Sequence, residues 1–190
     1  MNAKQKKIHP RGFWQAETIN HHYDDSFCLK LKDMCRDFRS VVDFGCGNAG
    51  YAKSIKKENP DIVVDAFDGN PNVGKITNGF GENLDLSREF NLHRKYDVVI
   101  SLEVAEHIPK EHEATYINNI SSHCNRLLVF SWAKVGQGGK GHINEQNKDY
   151  VLKILREKGL VLNRALSEEL QSSATVCYWF KETSLVFDRK

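Results

Sequence analysis

The residues with chemistry to offer begin in the stretch Val41-Val42-Asp43-Phe44-Gly45-Cys46-Gly47-Asn48-Ala49-Gly50. Gly45, Gly47 and Gly50 carry the G-x-G-x-x-G spacing of a strand-to-helix turn. Such a turn lets a ligand approach the backbone and meet helix N–H groups. The spacing alone serves NAD, FAD and S-adenosylmethionine equally. Asp68, 21 residues after Gly47, suits the ribose of all three. Charge discriminates where spacing does not. Asp43 stands two residues before the first glycine. Beside a pyrophosphate it would repel; beside an ammonium and a sulfonium it would attract. Such a pair at about 4 Å and an effective dielectric near 20 is worth roughly 4 kcal/mol before desolvation. The bland alternative is that Asp43 caps the loop's own amides.

A second group of reactive side chains lies further along. Glu103, Glu106 and His107 occur in "LEVAEHIP", and His142 in the glycine-rich "GQGGKGHINEQ". Histidine is the side chain best poised to exchange a proton near neutrality. Gly136, Gly138, Gly139 and Gly141 permit a mobile lid or a close backbone approach. "HHYDD", His21 to Asp25, precedes a helix and offers His22 and Tyr23, with Asp24 or Asp25 as helix N-cap. Trp14, Trp132 and Trp179 read as core. Trp132, at a strand end, is the one to examine for stacking on an acceptor ring. Glu103, Glu106 and His107 are the candidate metal ligands, but nothing in their spacing selects an ion, and no metal is assigned.

The elements that must position these residues alternate between helix and strand. Residues 24–39 place Phe27, Cys28, Leu31, Met34, Cys35 and Phe38 on one helical face. Ser40–Phe44 is a strand feeding the glycine turn, and 49–58 is the next helix. Ile62–Phe67, Tyr96–Leu102 and Leu127–Ala133 are further apolar strands, with a weak one near Asn83–Leu86. Helices are expected over 111–124 and 146–158, the latter capped by Gly159. Leu160–Leu166 and Leu185–Asp188 read as the last strands. A helix containing Leu170, Ala174, Cys177 and Phe180 joins them. Nearly all-apolar strands alternating with helices imply an α/β fold, a doubly wound, mostly parallel sheet covered on both faces. Ligands in such folds bind beyond the C-terminal strand ends, where the strand order reverses.

Composition narrows the function further. The 190 residues suit one domain, and 40% hydrophobic with 27% charged residues suits a globular one. A net charge of +2, with Lys4, Lys6 and Lys7 the densest basic group in a fraying N-terminus, gives no support for gripping nucleic acid. No apolar run approaches the roughly 18 residues of a membrane span. Five scattered cysteines without a C-x-x-C pair, and no signal peptide, point to a reducing, cytoplasmic compartment.

"VVDFGCGNAGY" resembles motif I of the class I (Rossmann-like) S-adenosylmethionine-dependent methyltransferases. "VVDAFDGNP", "ENLDLS", "YDVVISLEVAEHIP" and "YWFKETSLVFDRK" resemble the later motifs in the right order, over nearly the whole chain. The resemblance implies a seven-stranded sheet, S-adenosylmethionine as cofactor and S-adenosylhomocysteine as product. It places Asp43, Gly45 and Gly47 at the methionine part, with Cys46 among the cofactor-binding positions. Asp68 takes the ribose hydroxyls, Gly69 and Asn70 flank the adenine, Asp85 faces its amine and Leu86 covers the ring. Ser101 and Leu102 close the methionine end through their backbone, and Glu103 lies where the acceptor enters. Ala49 stands where many members have glycine, at an expected small cost. A 1–23 segment covers the active site of a single domain over 24–190, with His22, Tyr23 and Trp132 at the cover or substrate.

Methyl transfer to a hydroxyl needs alignment and usually a base. His142 is the first candidate, then His107, with Glu103 to orient the acceptor. Ser101-Leu102-Glu103-Val104 stands where nitrogen-directed members carry [DN]PP[YF]. The "GQGGxxHIN" loop faintly resembles methyltransferases associated with glycosyltransferases. A sugar or glycan hydroxyl is therefore the first expected acceptor. Alternatives are a non-sugar metabolite or protein side chain, an NAD-dependent oxidoreductase, and a non-catalytic cofactor-binding partner subunit.

Overall fold

The computed structural model describes residues 7–18 and 21–190. Lys4 and Lys6 lie outside the described residues. The chain opens with a hairpin of β1 (Lys7–Ile8) and β2 (Trp14–Gln15), then α1 (Asp25–Cys35), β3 (Ser40–Phe44), α2 (Gly50–Glu58) and β4 (Val63–Asp68). α3 (Val73–Ile76), β5 (Glu82–Asn83) and β6 (Tyr96–Ser101) follow, then α4 (Glu113–Ser122) and β7 (Cys124–Ser131). α5 (Lys148–Arg156), β8 (Leu160–Leu162), α6 (Arg164–Ser173), α7 (Phe180–Thr183) and β9 (Ser184–Arg189) complete it.

The seven-stranded sheet runs β5-β4-β3-β6-β7-β9-β8. β9 lies antiparallel to both of its neighbours, and the other pairings are parallel. β3 is buried at every residue because helices cover both faces. One face packs Phe27, Leu31, Ile55 and Leu170 from α1, α2 and α6. The other packs Tyr116, Ile120, Val151 and Leu155 from α4 and α5. The strand order reverses between β3 and β6, so the ends of these two strands form the crevice.

Three expectations are corrected. The strand expected over Leu160–Leu166 stops at Leu162, because the Asn163 side chain accepts from Leu166 N–H and starts α6. The helix expected through Leu170, Ala174, Cys177 and Phe180 is two helices. The N–H groups of Thr175, Val176 and Cys177 turn to the Asp24 carboxylate at 2.7, 2.7 and 3.0 Å instead of continuing α6. The weak strand near Asn83–Leu86 is Glu82–Asn83. The β1–β2 hairpin was not expected at all.

Asp24 thus joins the chain's two ends. It also caps α1 by accepting from Phe27 N–H at 3.1 Å. These donors hold its buried carboxyl at a pKa of about 2, against the desolvation that alone would raise it. Asp24→Ala is expected to cost about 2–4 kcal/mol, because buried N–H groups lose their acceptor. Thermal unfolding should show a melting point lower by about 5–15 °C. In the parent, Asp24's contribution is present above about pH 4 and is lost as pH falls towards 2. A variant melting within about 2 °C of the parent would remove Asp24 as the joint.

Candidate active site

The glycine turn follows β3 directly. Gly45, Gly47 and Ala49 all have positive φ, at 89°, 58° for Ala49 and 56° for Gly47. A Cβ on Gly45 would meet Val104 Cγ2 at 2.2 Å, so only glycine fits. Ala49 corrects an expectation: its left-handed backbone costs an alanine about 1–2 kcal/mol. Complete burial of its methyl offsets part of that. The turn keeps its amides for itself. Gly45 and Cys46 N–H donate to the Phe67 carbonyl, Gly47 N–H to Asp68 Oδ2, Ala49 N–H to the Cys46 carbonyl and Gly50 N–H to Asn48 Oδ1. A pyrophosphate would therefore find few donors here.

The carboxylates point the same way. Asp43 is 5% exposed and borders the cavity, and its carboxylate accepts no hydrogen bond from the described residues. Burial first, and then the Asp68 charge, push its pKa up to about 7. A cation in the cavity would relieve both effects. Asp68 accepts from Gly47 and Asn70 N–H at 2.9 and 2.8 Å. Asp85 accepts from Ser87 and pairs with Arg11 Nη1 at 3.1 Å.

At the other end four side chains converge. Glu103 sits at the end of β6 with φ 55°, a strained backbone for a non-glycine residue. Its N–H donates to Ser131 Oγ, and that hydroxyl donates back to Glu103 Oε1 at 2.8 Å. Burial pushes its pKa up to about 7. Glu106 is fully buried, and neither carboxylate oxygen has a hydrogen-bond partner among the described residues. Burial and then Glu103 push its pKa far up. His107 Nδ1 lies 3.0 Å from the Gly141 carbonyl and so carries the proton, leaving Nε2 as an acceptor. Burial lowers its pKa to about 4. His142 Nδ1 lies 3.2 Å from Glu145 Oε1, and Nε2 lies 3.9 Å from Glu106 Oε1. The two imidazoles meet edge to face at 5.1 Å.

The family profile of the methyltransferase domain matches residues 19–185. The chain belongs to that family. No curated protein sequence matches it. Solved structures show the same fold in this methyltransferase. A TehB-like S-adenosylmethionine-dependent methyltransferase from Corynebacterium glutamicum is 17% identical, with 90% of each chain covered and a TM-score of 0.64. The sugar N-methyltransferase KedS8 from Streptoalloteichus is 14% identical, with 87% of each covered and a TM-score of 0.66. Magnesium protoporphyrin IX methyltransferase (ChlM) from Synechocystis, solved with S-adenosylhomocysteine, is 16% identical, with 90% of each covered and a TM-score of 0.60.

S-adenosylmethionine is the cofactor, and the residues of this methyltransferase fit it. Asp43 is a buried acceptor without a donor, facing a cavity whose turn offers few amides. The cavity encloses about 770 Å³, within the range of small-molecule sites. Asp43, Gly45, Cys46, Asp68, Gly69, Asp85, Leu86, Leu102, Glu103, His107, His142, His22 and Tyr23 all line it.

Four expected positions lie behind its wall. Gly47 is covered by the His21 ring and serves by holding Asp68. Asn70 is buried, its amide donating to the Ala16 carbonyl. Ser101 Oγ donates to the Phe44 carbonyl, and it lies 2.8 Å from Tyr116 on the far face of the sheet. Trp132 is a core residue donating to the Asn144 carbonyl, not a stacking platform. Trp14 and Trp179 line the cavity instead.

The sequence reading missed the β1–β2 hairpin as a wall. Phe13 packs on Gly69, where a Cβ would meet Phe13 Cβ at 2.5 Å. Gly12 lies against the His107 carbonyl so closely that a Cβ would sit 2.0 Å from it. A signal was present: Pro10-Arg11-Gly12 between Ile8 and Phe13-Trp14 is turn chemistry between apolar residues.

Proposed function

We propose that this methyltransferase methylates an oxygen of a small polar acceptor, a sugar hydroxyl or one exposed sugar of a glycan. The carrying observation is the polarity of the cavity. One end presents the unpaired carboxylate of Asp43, suited to a cationic donor. The other presents imidazoles whose Nδ1 atoms are anchored and whose Nε2 atoms are available. The cofactor supplies an electrophilic methyl group on a sulfonium. Asp43 holds its positive end, Asp68 receives the ribose hydroxyls, and Leu86 and Phe13 flank the base. Glu103, fixed by Ser131, orients the acceptor, and His142 or His107 receives its proton. Alignment of this kind contributes several kcal/mol.

The sugar reading draws support from KedS8, named a sugar N-methyltransferase. An amino sugar is the second reading, favoured by the buried Glu103 and Glu106 pair, which suits an ammonium. The five cysteines are free, which suits a reducing, cytoplasmic compartment, and a glycan acceptor would set the protein beside glycosyltransferases. No described helix is long and apolar enough to cross a membrane. A labelled-methyl screen over sugars, amino sugars, glycans and small alcohols tests the proposal. Label in an O-methyl sugar supports it. Transfer only to non-sugar acceptors overturns it.

The hairpin acts as the cover over the adenine end. Asn70 and Asn72 hold it through the Ala16 carbonyl at 3.0 and 3.1 Å, and Arg11 through Asp85. Saturating S-adenosylhomocysteine is expected to slow hydrogen exchange across residues 7–16 by about tenfold or more. Unchanged exchange there would show a static wall rather than a cover.

A further inference from the structure

Spacing alone selects no metal among Glu103, Glu106 and His107. The fold adds a fourth residue, His142, from a loop 35 positions after His107. One ligand atom from each of Glu106, His107 and His142 lies within 4.8 Å of the others. Ligands about 2.1 Å from one ion stand roughly 3.0–3.4 Å apart in octahedral or tetrahedral geometry, so atoms up to 4.8 Å apart must draw in by as much as about 1–2 Å when the ion binds. We propose that Glu106, His107 and His142, with Glu103 beside them, bind a divalent first-row transition cation that also takes the acceptor's oxygen.

Three independent features support the site. Glu106 is fully buried with both oxygens unpartnered among the described residues, an arrangement that a cation satisfies. Each histidine is oriented as metal-ligating imidazoles are, with Nδ1 engaged by an outer acceptor and Nε2 left for the ion. For His107 that acceptor is the Gly141 carbonyl, and for His142 it is the Glu145 carboxylate. The loop is shaped to allow this. A Cβ on Gly139 would meet His142 Nε2 at 2.3 Å, and one on Gly141 would meet His107 Nδ1 at 3.3 Å. Glu145 further clamps the loop by accepting from Gly136 and Gly138 N–H, each at 2.7 Å.

Two imidazoles with one or two carboxylates and no thiolate favour manganese, iron, cobalt or zinc over magnesium or calcium. The cavity borders Glu103, His107 and His142, which leaves a coordination position open to the acceptor. Coordination lowers the pKa of a bound hydroxyl. With both imidazole Nε2 atoms on the ion neither histidine serves as the base, and the O–H proton would leave to solvent as the oxygen becomes a ligand. This inference rests on the methyl-acceptor reading of the same cavity.

The test is titration of untagged protein, stripped of metal, with Co²⁺ alone, following its visible d–d absorption. The expected result is one Co²⁺ per chain. Glu106→Gln and His142→Ala should each weaken it by about tenfold or more. S-adenosylhomocysteine titrated into the same samples reports folding and should bind parent and variants alike. Absent Co²⁺ binding with intact S-adenosylhomocysteine binding overturns the metal site alone. So does Co²⁺ binding that both variants retain. Co²⁺ binding without S-adenosylhomocysteine binding supports the metal site and overturns the methyl-transfer reading.

Discussion

Asp43→Asn is expected to weaken S-adenosylmethionine binding by about 10²- to 10³-fold, and to raise the melting temperature of the cofactor-free protein. Both effects have one cause. The carboxylate is held at the end of β3 without a donor, and desolvation together with Asp68 raises its pKa from 3.8 to about 7. Opposite charges at about 4 Å gain roughly 4 kcal/mol at an effective dielectric of 20. Retaining two-thirds to all of that gives the stated affinity loss. Without cofactor the same charge is a burden. The unfolded chain releases this proton near pH 4 and the folded chain near pH 7. The unfolded state therefore binds fewer protons in that window, and stability falls as pH rises through it. A rise from 3.8 to about 7 corresponds to about 4 kcal/mol. At pH 8 the variant should melt higher by several degrees, at about 2–4 °C per kcal/mol.

The same linkage gives the cofactor a pH dependence. Below about pH 7, binding a cation must expel the Asp43 proton, so affinity rises with pH and levels off above the pKa. Calorimetry in buffers of different ionisation enthalpy should register proton release at pH 6 and little at pH 8. Affinity within about threefold of the parent, or a lower melting point at pH 8, would remove Asp43 as the counter-charge.

The cofactor half of this arrangement was legible in the sequence because it is local. Asp43 and the glycines sit within eight residues, and Asp68 ends the next strand. A strand followed by a turn fixes their relative positions, and charge then selects the ligand. What the sequence hid depends on distant contacts. Asp24 draws off the N–H groups of residues 175–177, which splits a helix that local periodicity reads as continuous. Trp132 and Trp14 exchange their expected places for the same reason. Asn144 offers Trp132 a carbonyl in the core, and the hairpin carries Trp14 to His107 and Lys140. The acceptor end was half legible. Glu103, Glu106 and His107 are close in sequence, but His142 joins them only because its loop returns across the strand ends.

His142→Ala is expected to keep cofactor affinity within about twofold while lowering methyl transfer by about 10²- to 10⁴-fold. His142 is held by Glu145 and reaches Glu106, whereas the cofactor-binding carboxylates Asp43 and Asp68 stand at the C-terminal ends of β3 and β4. Binding and turnover should therefore separate in this variant. The loss should appear in kcat, because the imidazole acts on the acceptor's proton or on the cation that holds its oxygen. Glu145→Gln keeps the ring but removes the charge that orients it and weakens the anchor on Gly136 and Gly138. An intermediate loss of about 10- to 100-fold follows. The two roles differ in what restores the alanine variant. A lost proton acceptor is replaced by added imidazole at a fixed metal concentration. A lost ligand is compensated by raising the concentration of Co²⁺ or Mn²⁺, because the remaining residues still bind the ion more weakly. Full activity in His142→Ala would remove the residue from both roles and leave His107 as the next candidate.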